Sequence, residues 1–358
     1  MTSASPPPPS GAATGERLHP LRELTLSRMR EFLREPEAVF WVFAFPIIMT
    51  CALGVAFRSR GDEPVVVGVE RGAAAAAVRA ALERDGGFVV RDVDPATVDR
   101  ALRDGRVQVV VVPGQPPTYR YDPARAESQV ARLAVDAVLQ RAAGRGDAFT
   151  ARQDAVRAVG SRYIDWLVPG LLGMNIMGTG MWSTSFTIVT ARTRKLLKRL
   201  VATPMRRSQY LLSMLLSRLA FLAAEVVVLV AFAWVVFGVA VHGSLAALTA
   251  VCLLGAVAFG GIALLTASRA RTIEGVSGLL NLVMVPMWVF SGVFFASSNF
   301  PDAVQPLVQA LPLTALNDAL RAVMNDGDSL GAIWHELAIL SGWGGVSFAA
   351  ALKLFRWS

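Results

Sequence analysis

Residues 38–57 read Ala-Val-Phe-Trp-Val-Phe-Ala-Phe-Pro-Ile-Ile-Met-Thr-Cys-Ala-Leu-Gly-Val-Ala-Phe, without a single charge. Coiled as a helix rising 1.5 Å per residue, this stretch reaches about 30 Å, the thickness of a bilayer's hydrocarbon core. Pro46 predicts a kink within it. The rest of the chain follows the same logic. Its 358 residues are 54% hydrophobic and only 17% charged, against about 25% charged in a typical soluble domain. The deficit sits in further apolar runs near 164–190, 219–241, 245–267, 276–295 and 330–354. The predicted fold class is therefore an α-helical polytopic membrane protein with six transmembrane helices.

Between the first two spans the composition changes. Over residues 58–162 charges are frequent and apolar runs short. Strands are predicted at Val65–Val69, Phe88–Val93, Val107–Val112 and Thr118–Tyr121. Helices are predicted at Arg71–Arg84, Pro95–Arg103 and Ala124–Ala143. Strands alternating with helices imply a small α/β domain with a partly parallel sheet. Residues 1–15 are a Pro/Ala/Ser tail that cannot bury a core and is expected to be disordered. In residues 16–37 apolar positions recur at helical spacing among Arg22, Arg28, Arg30 and Arg34. A basic amphipathic helix immediately before a span is expected to lie in the membrane interface. Residues 297–328, between the last two spans, carry Pro301, Pro306 and Pro312. That segment is too polar and broken to span, and is expected to re-enter or lie at the interface.

The formal charge is +8. On a soluble protein this would suggest nucleic acid, but its location points to the membrane instead. The link after span two holds Arg192, Arg194, Lys195, Lys198, Arg199, Arg206 and Arg207. The next cytoplasmic link adds Arg269 and Arg271. The opposite side has only Arg321 against Asp302, Asp318, Asp326 and Asp328 in its longer link, and no Lys or Arg in its shorter one. The excess of positive charge puts both termini and the basic link in the cytoplasm, with the α/β domain outside.

Other chemistries find no support. Cys51 and Cys252 lie in apolar runs, so no disulfide framework organises the chain. His19, His242 and His335 are far apart, and no metal site is expected. A phosphate-cradling Gly-x-x-x-x-Gly-Lys-Ser/Thr loop is absent, so this chain is not expected to bind ATP itself.

The segment 191–210 carries the sharpest functional signal. Leu196, Leu197, Leu200 and Val201 share one helical face, flanked by Lys195, Lys198 and Arg199. Thr203-Pro204 then stops the helix. A basic amphipathic knob followed by a break suits either a docking partner or lipid headgroups. The run Leu-Leu-Lys-Arg-Leu-Val-Ala-Thr-Pro-Met-Arg-Arg-Ser-Gln-Tyr (196–210) resembles the coupling segment of bacterial ABC type-2 exporter permeases. Val289-Phe290-Ser291-Gly292-Val293-Phe294-Phe295 resembles that family's Ser-Gly element. Leu311-Pro312-Leu313-Thr314 with Leu320-Arg321 resembles its external segment, marking Pro312, Thr314 and Arg321.

The resemblance implies an inner-membrane permease subunit exporting a lipid, amphiphilic drug or glycan. It implies two permease chains, identical or paralogous, paired with two cytoplasmic ATPase subunits. ATP and Mg would be held by the ATPase, with no cofactor on this chain. Within the spans, Glu225 is costly unless paired, protonated or hydrated, so it reads as a pathway residue or a structural pair. Asn175, Asn281 and Glu274 are candidates on the same logic, Asn281 also as glue between helices. The rival readings are an ATP-independent channel or secondary transporter, or a receptor with an external ligand-binding domain. A secondary carrier would be expected to show a repeat between its halves.

Overall fold

The computed structural model describes residues 20–57, 64–72, 74–146, 149, 160, 162–193, 207–270 and 272–354, with only the backbone of 20–24 and 207–214. The chain forms two compact units, residues 60–156 and the remainder.

Two helices precede the insertion, α1 (Pro20–Leu33) and α2 (Pro36–Ala56). Pro36 occupies the first turn of α2, where its missing N–H costs nothing. A π turn at Phe40–Ala44 widens α2 just ahead of Pro46. The smaller unit then builds β1 (Val65–Glu70), α3 (Ala75–Asp85), β2 (Phe88–Val93), α4 (Val98–Arg103), β3 (Val109–Val112), β4 (Thr118–Tyr121) and α5 (Ala126–Ala142). The strand order is β2-β1-β3-β4. β1 runs parallel to β2, pairing Val65 with Phe88, and parallel to β3, pairing Val67 with Val109. β4 returns antiparallel, Val112 facing Thr118. One sheet face packs Val67, Val69, Val109 and Val111 against Leu82 of α3 and Ala131 and Val135 of α5. The other packs Val93 and Val110 against Val98 of α4. Tyr119 donates to Asp136 at 3.0 Å. Burial and that carboxylate push its phenol up to about 12.

The helical unit continues with α6 (Tyr163–Thr193), α7 (Arg207–Phe237), α8 (Leu245–Arg269) and α9 (Ile273–Phe290). Two short helices follow, α10 (Gln305–Gln309) and α11 (Pro312–Arg321), and α12 (Trp334–Leu354) ends the fold. Among the described residues, α2, Leu215–Phe237 of α7, α8, α9 and α12 are long and apolar enough to cross a membrane. α6, expected as the second span, is not among these five. Its 31 residues reach roughly 46 Å, so length is not the reason. α6 is buried along most of its course, from Ile164 to Val189, and packs against α2, α7, α8, α9 and α11. A helix surrounded by protein can carry Gly, Asn and Thr that a lipid-facing helix cannot.

Several predicted span ends shift. α7 stops at Phe237, short of 241, because Gly238 turns left-handed with φ +67°. α9 stops at Phe290, short of 295, and Gly292 at φ +69° redirects the chain. α12 begins at Trp334 instead of 330, after a turn. The segment expected to be broken, 297–328, holds α10, α11 and a π turn at Ala322–Asp326. At the other end of the chain, α1 lies against α7, with the rings of Phe32 and Phe221 4.3 Å apart.

The α8–α12 pair crosses closely at Gly261 and Gly344. A Cβ on Gly261 would come within 2.9 Å of the Gly344 carbonyl, whereas one on Gly260 would meet nothing within 4 Å. Gly261→Val is therefore expected to destabilise the detergent-solubilised protein by about 1–3 kcal/mol. Gly260→Val should leave thermal unfolding unchanged or slightly raised; equal effects from the two would show that the crossing is not close.

Candidate functional site

A proline inside a helix leaves the carbonyl four residues back without its donor. Pro46 does this to Val42, and Asn175 of α6 fills the gap, its Nδ2 donating to Val42 O at 3.0 Å. Pro169 of α6 does the same to Asp165. There Asn325, in the π turn after α11, donates to Asp165 O at 3.0 Å. Two proline-containing helices are thus each completed by an asparagine from elsewhere in the bundle.

One turn beyond Asn175, Thr179 begins a charged cluster. Arg218 of α7 donates through Nη2 to Thr179 Oγ1 at 2.9 Å and lies 3.7 Å from Glu225 through Nη1. The Thr179 hydroxyl sits 3.1 Å from Glu225 Oε2 and 2.8 Å from the Asn175 carbonyl. With one proton, it can donate to only one of them at a time. Glu225 is 2% exposed, so Arg218, not water, is the cation beside it. Two readings of Glu225 were open, a pathway residue and a structural pair, and its contact with Arg218 is compatible with both.

The second polar centre lies around Arg321, itself 6% exposed. Its guanidinium stacks over the Trp166 ring at 3.4 Å, donates to Gly292 O and pairs with Asp318 at 3.1 Å. Burial pulls Arg321 down to about 10, against the opposing pull of Asp318, so it stays cationic at neutral pH. Asn317 donates to Ser291 O at 2.9 Å. Its side chain fits because α6 offers Gly173, where a Cβ would fall 2.0 Å from Asn317 Oδ1. The Ser-Gly element, α11 and α6 are thereby tied at one place. Pro312 opens α11, and Thr314 is buried with its hydroxyl unpartnered, as is that of Ser291.

The remaining expected residues are spread out. Arg192 donates through Nη1 to Ala270 O at 2.9 Å and Ala267 O at 3.3 Å. It thereby satisfies carbonyls at the end of α8, where a cation is favoured by the helix dipole. Arg194, Lys195, Leu196, Leu197, Lys198, Arg199, Leu200, Thr203, Pro204 and Arg206 lie outside the described residues. Arg207 begins α7. Asn281 lies on the exposed side of α9, whereas Asn175 and Glu225 are buried. Among the described residues no cluster of His, Cys, Asp and Glu could hold a metal. Sequence reading missed Thr179, Arg218, Asn317 and Asn325. Arg218 and Glu225, seven apart, share a helical face, a legible signal. The link from Asn325 to Pro169 leaves none.

A family model described as "ABC-2 type transporter" matches residues 131–325. The chain is 26% identical over 121 residues to the inner membrane transport permease YhhJ of Escherichia coli strain K12, covering 34% of this chain and 32% of that protein. It is 27% identical over 204 residues to nodulation protein J of Bradyrhizobium diazoefficiens, covering 56% of this chain and 76% of that one. ABC transporter G family member 20 of Dictyostelium discoideum is 26% identical over 187 residues, covering 51% and 25%. The match thus spans about a third of YhhJ's length. With its apolar helices, this makes the chain a multi-pass membrane protein.

Asn175→Ala should destabilise the protein by about 1–3 kcal/mol, because it strands the Val42 carbonyl. In a Pro46→Ala background, where the helix supplies its own donor, the same change should cost much less. Equal losses in both backgrounds by thermal unfolding would exclude the proposed pairing. At the charged cluster, Arg218→Met alone should cost about 3–5 kcal/mol, and adding Glu225→Met should recover most of it. The same unfolding measurement reads both.

Proposed function

The chain belongs to the ABC-2 type transporter family, and on that premise we propose that it is the membrane-spanning permease subunit of an ATP-binding-cassette exporter. The observation that carries this reading is where the match falls. It runs across α6, the basic link 194–206, α7, α8, α9 and α11. Permeases of this family pair with an ATPase subunit, so the energy source lies in another chain. The proposed assembly has two permease copies and two ATPases, with ATP and Mg bound by the latter. Counting α6, each copy spans the bacterial inner membrane six times. Both termini and the link lie in the cytoplasm, and residues 60–156 lie outside. The basic link and the acidic bias of residues 297–328 support that orientation. The name of the E. coli relative supports the membrane. The cargo is proposed to be a lipid, amphiphilic drug or glycan.

The geometry suggests how force would travel. The link joins α6 to α7, and α6 touches most of the bundle. Arg192, at the base of the link, holds the end of α8, so a push on the link would move α6 and α8 together. At the other end α6 carries Trp166 under Arg321 and Asp165 on Asn325. A shift of α6 would therefore be felt by α11 and the Ser-Gly element.

Leu197→Asp places a charge on the apolar face that the sequence predicts for the link. The test is co-purification with a candidate ABC ATPase subunit, then ATP hydrolysis in proteoliposomes. Wild type should bind the ATPase and alter its rate. Leu197→Asp should lower binding about tenfold or more, the loss expected when a hot-spot contact is broken. Failure of any ATPase to associate, or intact coupling in the variant, would sink the proposal.

A further inference from the structure

Around Asp165, the ends of α6, α7, α8 and α11 carry a set of ties that closes on itself. Arg162, at the entry to α6, forks onto Asp165, Nε to Oδ2 at 2.9 Å and Nη2 to Oδ1 at 2.7 Å. Its third nitrogen, Nη1, donates to Phe237 O at the end of α7, at 3.0 Å. The chain then turns through the loop that leads to α8. In that loop His242 N donates to Met324 O at 2.9 Å and Gly243 N to Val323 O at 3.0 Å. Both acceptors belong to the π turn after α11, and both residues are fully buried. A Cβ on Gly243 would run into the Val323 carbonyl, so the two backbones lie against each other. The next residue of the π turn, Asn325, donates back to Asp165 O at 3.0 Å. The path leaves α6 at Arg162 and returns to it at Asp165.

We propose that these four helix ends form one rigid collar that stays closed while the transporter cycles. An open string of ties lets its members hinge apart one at a time. A closed ring does not, because each member is held from two sides. Asp165 is 6% exposed, so its carboxylate cannot exchange Arg162 for water without cost. Its carbonyl, freed by Pro169, needs Asn325 for the same reason. One residue thus carries two ties of the ring, one on its side chain and one on its backbone. A displacement of α6 then arrives at this end of the bundle as a shift of the whole ring, not as a gap between its members. The claim about the cycle rests on the permease reading above; the ring itself does not.

Hydrogen exchange on the full-length protein in lipid nanodiscs reads the ring without any partner. The His242 and Gly243 amides donate to the π turn and not to Arg162. Arg162→Met with Asp165→Asn removes the fork without stranding a buried charge. It is expected to speed exchange at those two amides about tenfold. Arg71→Met, in the smaller unit, should leave them unchanged. Unchanged exchange in the Arg162/Asp165 double variant shows independent ties and overturns the collar. Whether the ring stays closed is tested in a background of Cys51→Ala and Cys252→Ala. A Cβ on Gly327 lies 3.7 Å from the His242 Cβ, inside the disulfide range of about 3.5–4.5 Å. His242→Cys with Gly327→Cys should cross-link on mild oxidation, read by thiol labelling. Gly327 has φ +76°, so Gly327→Cys alone measures the cost of a side chain there by thermal unfolding. With a candidate ABC ATPase subunit in proteoliposomes, the oxidised protein should hydrolyse ATP within about twofold of the reduced one. A loss of about tenfold or more that dithiothreitol reverses shows that the ring must open, and overturns the proposal. A folded pair of cysteines that forms no disulfide overturns the geometry. Failure of any ATPase to bind overturns the permease reading and the claim about the cycle, while exchange still decides the ring.

Discussion

A carbonyl that loses its helical donor must find another, and in hydrocarbon there is no water to supply it. Pro46 and Pro169 create two such carbonyls, and Asn175 and Asn325 meet them from other parts of the bundle. This requirement explains why α6 sits where it does. It gives a donor to α2 and takes one from the turn after α11, so neither neighbour can drift without exposing a backbone group. The charged cluster adds a second tie through Thr179, Arg218 and Glu225. The apolar packing around Leu167, Leu171 and Met177 stabilises the bundle without direction. The polar ties choose one register among the many that apolar packing alone would allow.

Arg321 applies the same economy at a bend in the chain. Gly292 turns left-handed after α9, and its carbonyl, no longer in a helix, is taken by the guanidinium. The Trp166 ring lies beneath the same cation, so one side chain meets a backbone need and joins three segments. The orphan hydroxyls of Ser291 and Thr314 sit in the same region. Each costs about 1–3 kcal/mol where it is, so the connection is held in place by its neighbours and not by its own hydrogen bonds.

Much of the fold was legible because lipid makes simple demands. Long uncharged runs mark α2, α7, α8, α9 and α12, and the Val-rich strands of the smaller unit lie within a few residues of their expected places. The span ends were less legible, since Gly238 and Gly292 act through a backbone angle that composition does not express. α6 was readable as a long helix, but its burial was not. Its Gly and polar content signals protein neighbours only once those neighbours are known. For the site, Pro46 was visible as a kink and Asn175 as a costly polar group, yet nothing local joins them. Arg321 was singled out by motif, whereas its stacking on Trp166 depends on residues 155 apart. The link at 194–206 remains a sequence argument.

The asparagine that completes α2 has a consequence for biogenesis. Val42 and Asn175 are 133 residues apart. At a synthesis rate of about 5–20 residues per second, α2 leaves the ribosome roughly 7–27 seconds before its donor. During that interval the first span carries an unmet carbonyl that only water, a headgroup or a chaperoning helix can serve. The small unit between them is made in the same interval. α2 must therefore wait, near a wet interface or beside the insertion machinery, until α6 arrives to dry it.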